Sequence, residues 1–366
     1  MYVIKCRTNK EPAPTANFNA LDVAKFICAL LVVAIHIAPF GNGELNEVLN
    51  FWTKQYVARL AVPFFFMASG YLLFRKTDEE NFSLEPAKKY ALRMLKLYIL
   101  WTLVYFPFDI YHHTLGNFSP RTMAFFFKQT VLCGSYVHLW YLPAVIFAEC
   151  LAACLLYKKL KIKTIVLIAF LFYLIGFWVQ CNFLGSELLE SIAPNCCQFI
   201  KGCYDTFIGT HRNGLFFGFL FVSAGGYLAY NSICFNKRTA LIGFAVSMVL
   251  LFVEVWVVSY FKIATEQDMY ICLFPSVFFL FSWVMQIKLS DNSIYLLLRK
   301  MSALIFFIHL FVAHRIISLS LLMGINGLSD TYLLFGLTLL ISIIVSLAII
   351  KLSEFQRLKW LKHFIG

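Results

Sequence analysis

Two neighbouring apolar stretches carry ionisable side chains that a lipid bilayer should reject. Lys25 and His36 lie in residues 21–40, and Arg59 lies in residues 58–74. An ionisable group at membrane depth costs roughly 2.5–3.5 kcal/mol on insertion scales, so it marks a functional site by default. Histidine is the usual general base, because its ordinary pKa lies near neutral pH, and a nearby cation can stabilise developing negative charge. The pattern therefore indicates proton transfer beside fixed positive charges.

The spacing within the first stretch predicts where these groups lie. Lys25 and His36 are eleven residues apart. On a helix this separation is about three turns, roughly 16 Å of rise, and nearly the same face. One face of the first helix therefore presents a cation toward one end and an imidazole toward the other.

The composition is that of a membrane protein. The chain has 366 residues, of which 61% are hydrophobic and 14% charged, whereas soluble domains have about 25% charged residues. We therefore predict an all-α, polytopic integral membrane helical bundle in contact with membrane lipids. The first apolar stretch is too long for a cleavable signal peptide. The net charge of +12 is interpreted as loop charge on one membrane face, with no nucleic acid as partner.

Apolar segments predict about ten transmembrane helices. They cover residues 20–38, 56–74, 92–112, 138–156, 163–181, 212–231, 239–260, 269–287, 302–322 and 331–350. Of the 31 Lys and Arg residues, 22 fall in one alternating set of connections and five in the other. By the positive-inside rule both termini are cytoplasmic in a multi-pass protein of the cell membrane.

This topology divides the chain into three predicted parts. Residues 1–19 form a cytoplasmic N-terminal segment, 20–350 the transmembrane domain, and 351–366 a basic cytoplasmic C-terminal segment.

Several short motifs, in this order, resemble the membrane acyltransferase-3 family. This family comprises integral-membrane O-acyltransferases and includes the membrane domain type of membrane-bound serine racemases. The resemblance spans most of the chain. It rests on Lys25 and His36 with ten residues between them, Arg59-x-x-x-Pro63-Phe-Phe-Phe-x-x-Ser69-Gly70, His138-Leu-Trp140-Tyr141-Leu142, and Arg212-Asn213-Gly-Leu-Phe-Phe-Gly218.

The resemblance implies transfer of an acyl group, most often acetyl, from cytoplasmic acyl-CoA to a hydroxyl group. The acceptor would be an extracytoplasmic glycan, glycolipid or other hydroxyl compound of the cell envelope. Acyl-CoA is then a substrate, and no tightly bound cofactor is expected. His36 would be the general base, with Arg59 polarising the thioester carbonyl or orienting the imidazole. No Gly-x-Ser-x-Gly elbow is present, so direct transfer is favoured, with Ser69 as nucleophile the alternative.

Acyl-CoA binding is assigned to basic and polar groups near the cytoplasmic side. The connection 75–96 is the most basic of the chain, and its cations are of the kind that capture phosphates. The alternative is that they are a topology signal in contact with lipid headgroups. The family's Arg-x-x-Arg motif would place its second position at Arg93 or Lys96. The full set of donor candidates is Lys25, Ser69, Lys89, Arg93 and Lys96.

Acceptor binding is assigned to groups that enter the membrane from outside. These candidates are His138, Trp140, Tyr141, Arg212 and Asn213. The alternative is that they are ordinary residues of the aromatic belt and the interface.

Two further candidates are Glu149, which needs a partner or a proton at mid-membrane, and His309. Glu149 lies four residues beyond the family's glutamate position, which Val145 occupies here. No role is therefore carried over to it.

Cysteine and histidine spacing predicts no metal site. The eleven Cys include no Cys-x-x-Cys pair, and a disulfide among the outer-loop residues Cys181, Cys196, Cys197 and Cys203 stays open. Two other functions also stay open: a small-molecule transporter and a non-catalytic membrane sensor. The two halves of the chain show no internal similarity, and the order of the motifs favours the transferase.

Overall fold

The computed structural model describes residues 18–114, 119–181, 210–231, 236–264, 267–325, 327–328 and 331–365. Within these ranges the chain forms helices and no strand. Twelve α-helices are numbered here in chain order. They are α1 (Asn19–His36), α2 (Glu44–Trp52), α3 (Ala61–Phe74), α4 (Glu85–Thr114), α5 (Pro120–Leu132), α6 (Tyr141–Tyr157), α7 (Ile162–Gln180), α8 (Phe219–Asn231), α9 (Lys237–Tyr260), α10 (Leu273–Val284), α11 (Ser293–Leu322) and α12 (Tyr332–Leu352).

The predicted polytopic helical membrane protein is confirmed. Among the described residues, eight helical segments are long and apolar enough to cross a membrane. Two shorter apolar helices, α6 and α10, occupy the other two predicted spans. The count of ten spans and the cytoplasmic termini stay predictions, and residues 1–17 lie outside the described part. The C-terminal segment contains a 3₁₀ helix, Gln356–Phe364.

The helical segment that carries Arg59 is irregular where that residue lies. A π-helical turn, Thr53–Val57, follows α2, and a 3₁₀ turn, Ala58–Leu60, leads into α3. Pro63, which has no backbone N–H, then lies three residues beyond this 3₁₀ turn. π-helical turns are frequent at functional sites. Here the irregular turns place the guanidinium at the end of α3 that adjoins His36.

Two glycines allow α3 and α8 to approach closely. A Cβ atom at Gly70 would lie 2.1 Å from the carbonyl oxygen of Val222, and one at Gly225 would lie 2.1 Å from that of Met67. Without side chains at these positions, the two backbones pack in direct contact. This contact fixes α8, and the π-helical turn Gly214–Gly218 before it, against the helix that follows Arg59.

The first helix packs against α3 and α11. At one end, Arg299 donates to both carboxylate oxygens of Asp22, from Nε at 2.8 Å and from Nη2 at 2.7 Å. At the other end, His36 is the last residue of α1 and its ring contacts that of His309. The α1–α11 pair therefore links an ion pair between a buried aspartate and a half-exposed arginine to a histidine contact.

Candidate active site

Three histidines from distant parts of the sequence form a cluster. His36 ends α1, His138 lies in the turn before α6, and His309 lies in the middle of α11. The ring centroids are 5.4 Å apart for His36 and His309, 6.4 Å for His36 and His138, and 5.1 Å for His138 and His309. His138 and His309 are 1% and 0% exposed. The cluster is therefore part of the bundle core.

A pocket of about 40 Å³ opens beside this cluster. It gathers two catalytic candidates and four acceptor candidates: His36, Arg59, His138, Trp140, Tyr141 and Arg212. Apolar side chains such as Val32, Val62 and Phe217 line the remainder. We call it the histidine pocket. The fold thus unites residues that the sequence places in four separate motifs.

Asn213 is the acceptor candidate that the structure places outside this lining. Its side-chain oxygen accepts from the backbone N–H groups of Leu215 and Phe216, both at 2.9 Å, and its amide donates to the carbonyl of Thr210 at 2.7 Å. Asn213 therefore caps the π-helical turn, and it orients the segment that carries Arg212.

Asp268 is the acidic group of the histidine pocket, and the sequence reasoning missed it. Arg59 donates to its Oδ1 at 2.7 Å and Arg212 at 3.5 Å, and Arg59 also donates to Gln55. Burial would raise the pKa of Asp268, but the nearby His211 side chain and the two arginines hold it below its usual range. A signal was available: two arginines at predicted span ends need an acid, and Asp268 lies in the connection before the eighth predicted span.

A second, larger cavity of about 880 Å³ lies between α1, α3, α4 and α11. Its lining includes seven cationic side chains and two acidic ones, and we call it the basic cavity. The cations are Lys25, Arg75, Lys76, Lys89, Arg93, Arg299 and Lys300, and the acids are Asp22 and Glu85. Because Asp22 is paired with Arg299, six cations and one acid, Glu85, remain, and the described lining is strongly positive.

Four of the five donor candidates line the basic cavity: Lys25, Ser69, Lys89 and Arg93. Lys96, the fifth, is exposed and lies outside the lining. Although it is three residues beyond Arg93 on α4, it does not contribute to this lining.

Four cations of the basic cavity were not singled out from the sequence: Arg75, Lys76, Arg299 and Lys300. All belong to connections that the positive-inside count assigned to the cytoplasm, and that count was their available signal. The guanidinium of Arg75 stacks on the ring of Phe18 at 4.3 Å, which holds this charge at the mouth of the cavity.

An aromatic wall separates the two spaces. Tyr141 and Phe306 line both the basic cavity and the histidine pocket, and Phe65 lines the cavity beside them. The three ring centroids lie 5.7, 6.1 and 6.2 Å apart. The middle member of the Phe64–Phe66 run therefore lines the basic cavity, and the other two are fully buried.

Ser69 lies on the basic-cavity side of this wall. The Ser69 hydroxyl is hydrogen-bonded to that of Tyr90 and lines the basic cavity, whereas His36 lines the histidine pocket. Ser69 therefore stands in a different compartment from His36, and its role as nucleophile gains no support. Glu149 is 1% exposed, and neither of its oxygens has a hydrogen-bond partner among the described residues.

No metal centre emerges in the part of the chain that the structure describes, where no group of three or more His, Cys, Asp or Glu could hold an ion. Of the outer-loop cysteines, Cys181 is a free thiol. Cys196, Cys197 and Cys203 lie outside the described residues, so the disulfide expectation is untested.

Comparison with known proteins bears on this arrangement. The profile of the family described as "Acyltransferase domain" matches residues 18–351. Two proteins of Enterococcus faecalis named amino-acid racemase are similar, at 29% identity over 74% of this chain and 26% over 92%. A serine/alanine racemase of Enterococcus gallinarum is 30% identical over 73%. The matches cover only 36–46% of these relatives' own length. No solved structure gives a significant match.

Proposed function

The chain belongs to the acyltransferase family whose profile spans residues 18–351, and from that membership we propose a specific reaction. The protein moves an acyl group, acetyl in the first instance, from cytoplasmic acyl-CoA to a hydroxyl group of an envelope glycan, glycolipid or similar acceptor outside the cell membrane. One observation carries the proposal: a basic cavity and a histidine pocket lie back to back and share an aromatic wall.

The basic cavity suits the phosphates of coenzyme A. Arg299 is bound to Asp22, and the other six cations belong to α1, the connection after α3, α4 and α11. Convergent Lys and Arg side chains bind phosphate through charge-assisted hydrogen bonds. Since opposing charges in a cleft also raise the local concentration of an anionic ligand, the cavity would capture the donor from the cytoplasm.

The size of the histidine pocket favours a short acyl group. A space of about 10–15 Å³ holds one water-sized group, and the pocket measures about 40 Å³. It therefore holds about three heavy atoms, which is the size of an acetyl group. The thioester would reach it past Phe65, Tyr141 and Phe306 when these side chains rotate apart.

His36 supplies the base in this scheme. The acceptor oxygen attacks the thioester carbonyl, His36 takes the hydroxyl proton, and the C–S bond breaks. The proton then passes to the departing sulfur, giving an ester and free coenzyme A with no net change in protons. Arg212 is the cation suited to the oxyanion, because it is 35% exposed and its contact with Asp268 is the longer one.

A transporter is the second candidate, and the same two compartments favour it. Two spaces on opposite sides of an aromatic wall also suit alternating access, with a site between them. The relatives named for amino-acid racemisation suggest an amino acid as cargo. A non-catalytic sensor would use the basic cavity for binding alone.

An assay with purified protein in lipid nanodiscs, which leave both faces accessible, distinguishes these functions. Acetyl-CoA carrying a labelled acetyl group is added with an envelope extract, and free coenzyme A and labelled acceptor are measured. We expect both to appear together in wild type, and to fall at least about 100-fold in His36→Gln. The control is His314→Gln, since His314 lies outside the histidine pocket.

Binding of acetyl-CoA without acceptor-dependent release would favour the sensor. If no acyl-CoA binds at all, the transferase is excluded. Uptake of labelled serine or alanine into proteoliposomes then tests the transporter.

A further inference from the structure

Each of the two histidines beside His36 forms a hydrogen bond through one ring nitrogen to the backbone carbonyls of α11. Nε2 of His138 lies 3.2 Å from the oxygen of Phe307. Nδ1 of His309 lies 2.8 Å from the oxygen of Phe306 and 3.1 Å from that of Ile305. A carbonyl oxygen only accepts, so these two nitrogens carry the hydrogens.

The opposite nitrogen of each ring is therefore a bare acceptor. A neutral imidazole carries one N–H, and burial in an apolar bundle keeps both rings neutral. Nδ1 of His138 and Nε2 of His309 are fully buried, with no hydrogen-bond partner in the described part of the chain. Buried polar atoms without partners are rare and costly. Two of them in adjacent rings indicate that a hydrogen-bond donor belongs between them.

His36 is the group placed to be that donor. Its ring is the third of the cluster, 5.4 Å from His309 and 6.4 Å from His138 between centroids. His138 lines the histidine pocket with His36, whereas His309 stands behind it, outside the lining. One neighbour is thus open to the substrate side, and the other is sheltered from it.

The charges around His36 explain why such acceptors are needed. Lys54 and Arg59 face it from the segment before α3, and Arg212 faces it from the segment before α8. Asp268, the acid of the pocket, is already bound by Arg59. Protonated His36 therefore meets repulsion from three cations, and the described lining of the histidine pocket holds no second carboxylate besides Asp268 to offset it. Bare imidazole nitrogens can stabilise the cation without adding a formal charge.

We propose that His309 and His138 are positioning residues for His36. Nε2 of His309 has no hydrogen-bond partner in the structure, and a small rotation of the His36 ring would let it accept the N–H of His36, which fixes the tautomer whose other nitrogen is the base. When His36 takes the hydroxyl proton of the acceptor, Nδ1 of His138 accepts the second N–H of the imidazolium. The proton later passes to the sulfur of coenzyme A. This role rests on the proposed acyl transfer. The two tautomers follow from the hydrogen bonds to α11 and do not depend on that reaction.

The first test is nitrogen-15 histidine NMR of the protein in nanodiscs, with signals assigned by His138→Asn and His309→Gln. We expect neutral His138 with hydrogen on Nε2 and neutral His309 with hydrogen on Nδ1. The opposite tautomer in either residue overturns the proposal, whether or not the protein transfers acetyl groups.

The second test is the pH profile of acetyl transfer in His309→Leu, His309→Gln and the control His314→Leu. Loss of an acceptor destabilises protonated His36, so its pKa falls and the acid limb of kcat/KM moves to lower pH. We expect His309→Leu to lower kcat about 10- to 100-fold with an unchanged KM for acetyl-CoA. His309→Gln, which keeps an acceptor oxygen, should recover part of this loss.

A rate loss in His309→Leu without movement of the acid limb would show a structural role and refute the proposal. Absence of transfer in wild type, with the tautomers as derived, would instead count against the transferase itself.

Discussion

Arg59 donates through Nη1 to Oδ1 of Asp268 at 2.7 Å, across 209 residues of sequence. The contact joins the irregular turns before α3 to the connection before α10. Both side chains are about nine-tenths buried, at 11% and 12% exposure. A cation that the sequence suggested as a catalytic group is therefore paired with an acid, and this pair forms one side of the histidine pocket.

Removal of Asp268 should be strongly destabilising. In Asp268→Asn, Arg59 stays buried without a countercharge, and breaking a buried pair in this way typically costs about 3–5 kcal/mol. The midpoint of thermal unfolding in nanodiscs, followed by tryptophan fluorescence, should drop by several degrees relative to wild type. Glu354→Gln, at an exposed acid, is the matched control, and an equal drop in both variants would contradict the expectation.

The contribution of Asp268 should also depend on pH in a defined direction. Its folded-state pKa is lowered by its neighbours, so its contribution is fully present above the unfolded value of about 4. The stability difference between wild type and Asp268→Asn should be constant between about pH 8 and pH 5 and shrink below about pH 4. A difference that grows on acidification would be inconsistent with an ionised, paired carboxylate.

The cations of the basic cavity should control donor affinity. Arg93→Gln removes one charged contact from its lining, and the Kd for acetyl-CoA should rise at least about tenfold, with a weaker dependence on salt. Lys88→Gln is the matched control, because Lys88 is an exposed cation of the same helix outside the lining. The Kd of each variant is measured by calorimetry in nanodiscs. An equal loss of affinity in both variants would show general electrostatic attraction to the protein surface and no specific binding site.

The aromatic wall should set the length of the acyl group that is transferred. Phe306→Ala enlarges the passage and the histidine pocket together, because Phe306 lines both spaces. We expect the ratio of butyryl to acetyl transfer to rise about tenfold or more, a change of the size that one or two methylene groups make in a pocket. Phe311→Ala, on the same helix but outside both linings, should leave the ratio unchanged. An unaltered ratio in Phe306→Ala would show that the acyl group does not pass the aromatic wall.

The close contact of α3 and α8 should tolerate no side chain. In Gly70→Ala the added carbon would meet the backbone oxygen of Val222 at 2.1 Å, and a backbone atom cannot rotate away. The two helices must then separate, which lowers the unfolding midpoint and loosens the histidine pocket. Gly336→Ala adds the same carbon where nothing lies within 4 Å and serves as control. Equal stability of the two variants would show that the helices do not pack in this register.

Local patterns in the sequence determined the membrane class, the helices and the family. Runs of apolar residues identify spans without reference to any partner, because the bilayer sets the required length and hydrophobicity. The motifs around His36, Arg59, His138 and Arg212 likewise identified four groups that prove to share one pocket. Four of the five donor candidates line one cavity. Each of them lies at or near the end of a helix that the sequence predicts to be cytoplasmic.

Only the tertiary structure decided which distant groups meet. The pairing of Arg59 with Asp268, the bare nitrogens of His138 and His309, and the aromatic wall depend on how α1, α3, α6 and α11 pack. The same packing leaves Lys96 outside the basic cavity. Helix periodicity places a side chain on a face of its own helix. Which helix that face meets follows from long-range contacts, such as those at Gly70 and Gly225, that no local spacing records.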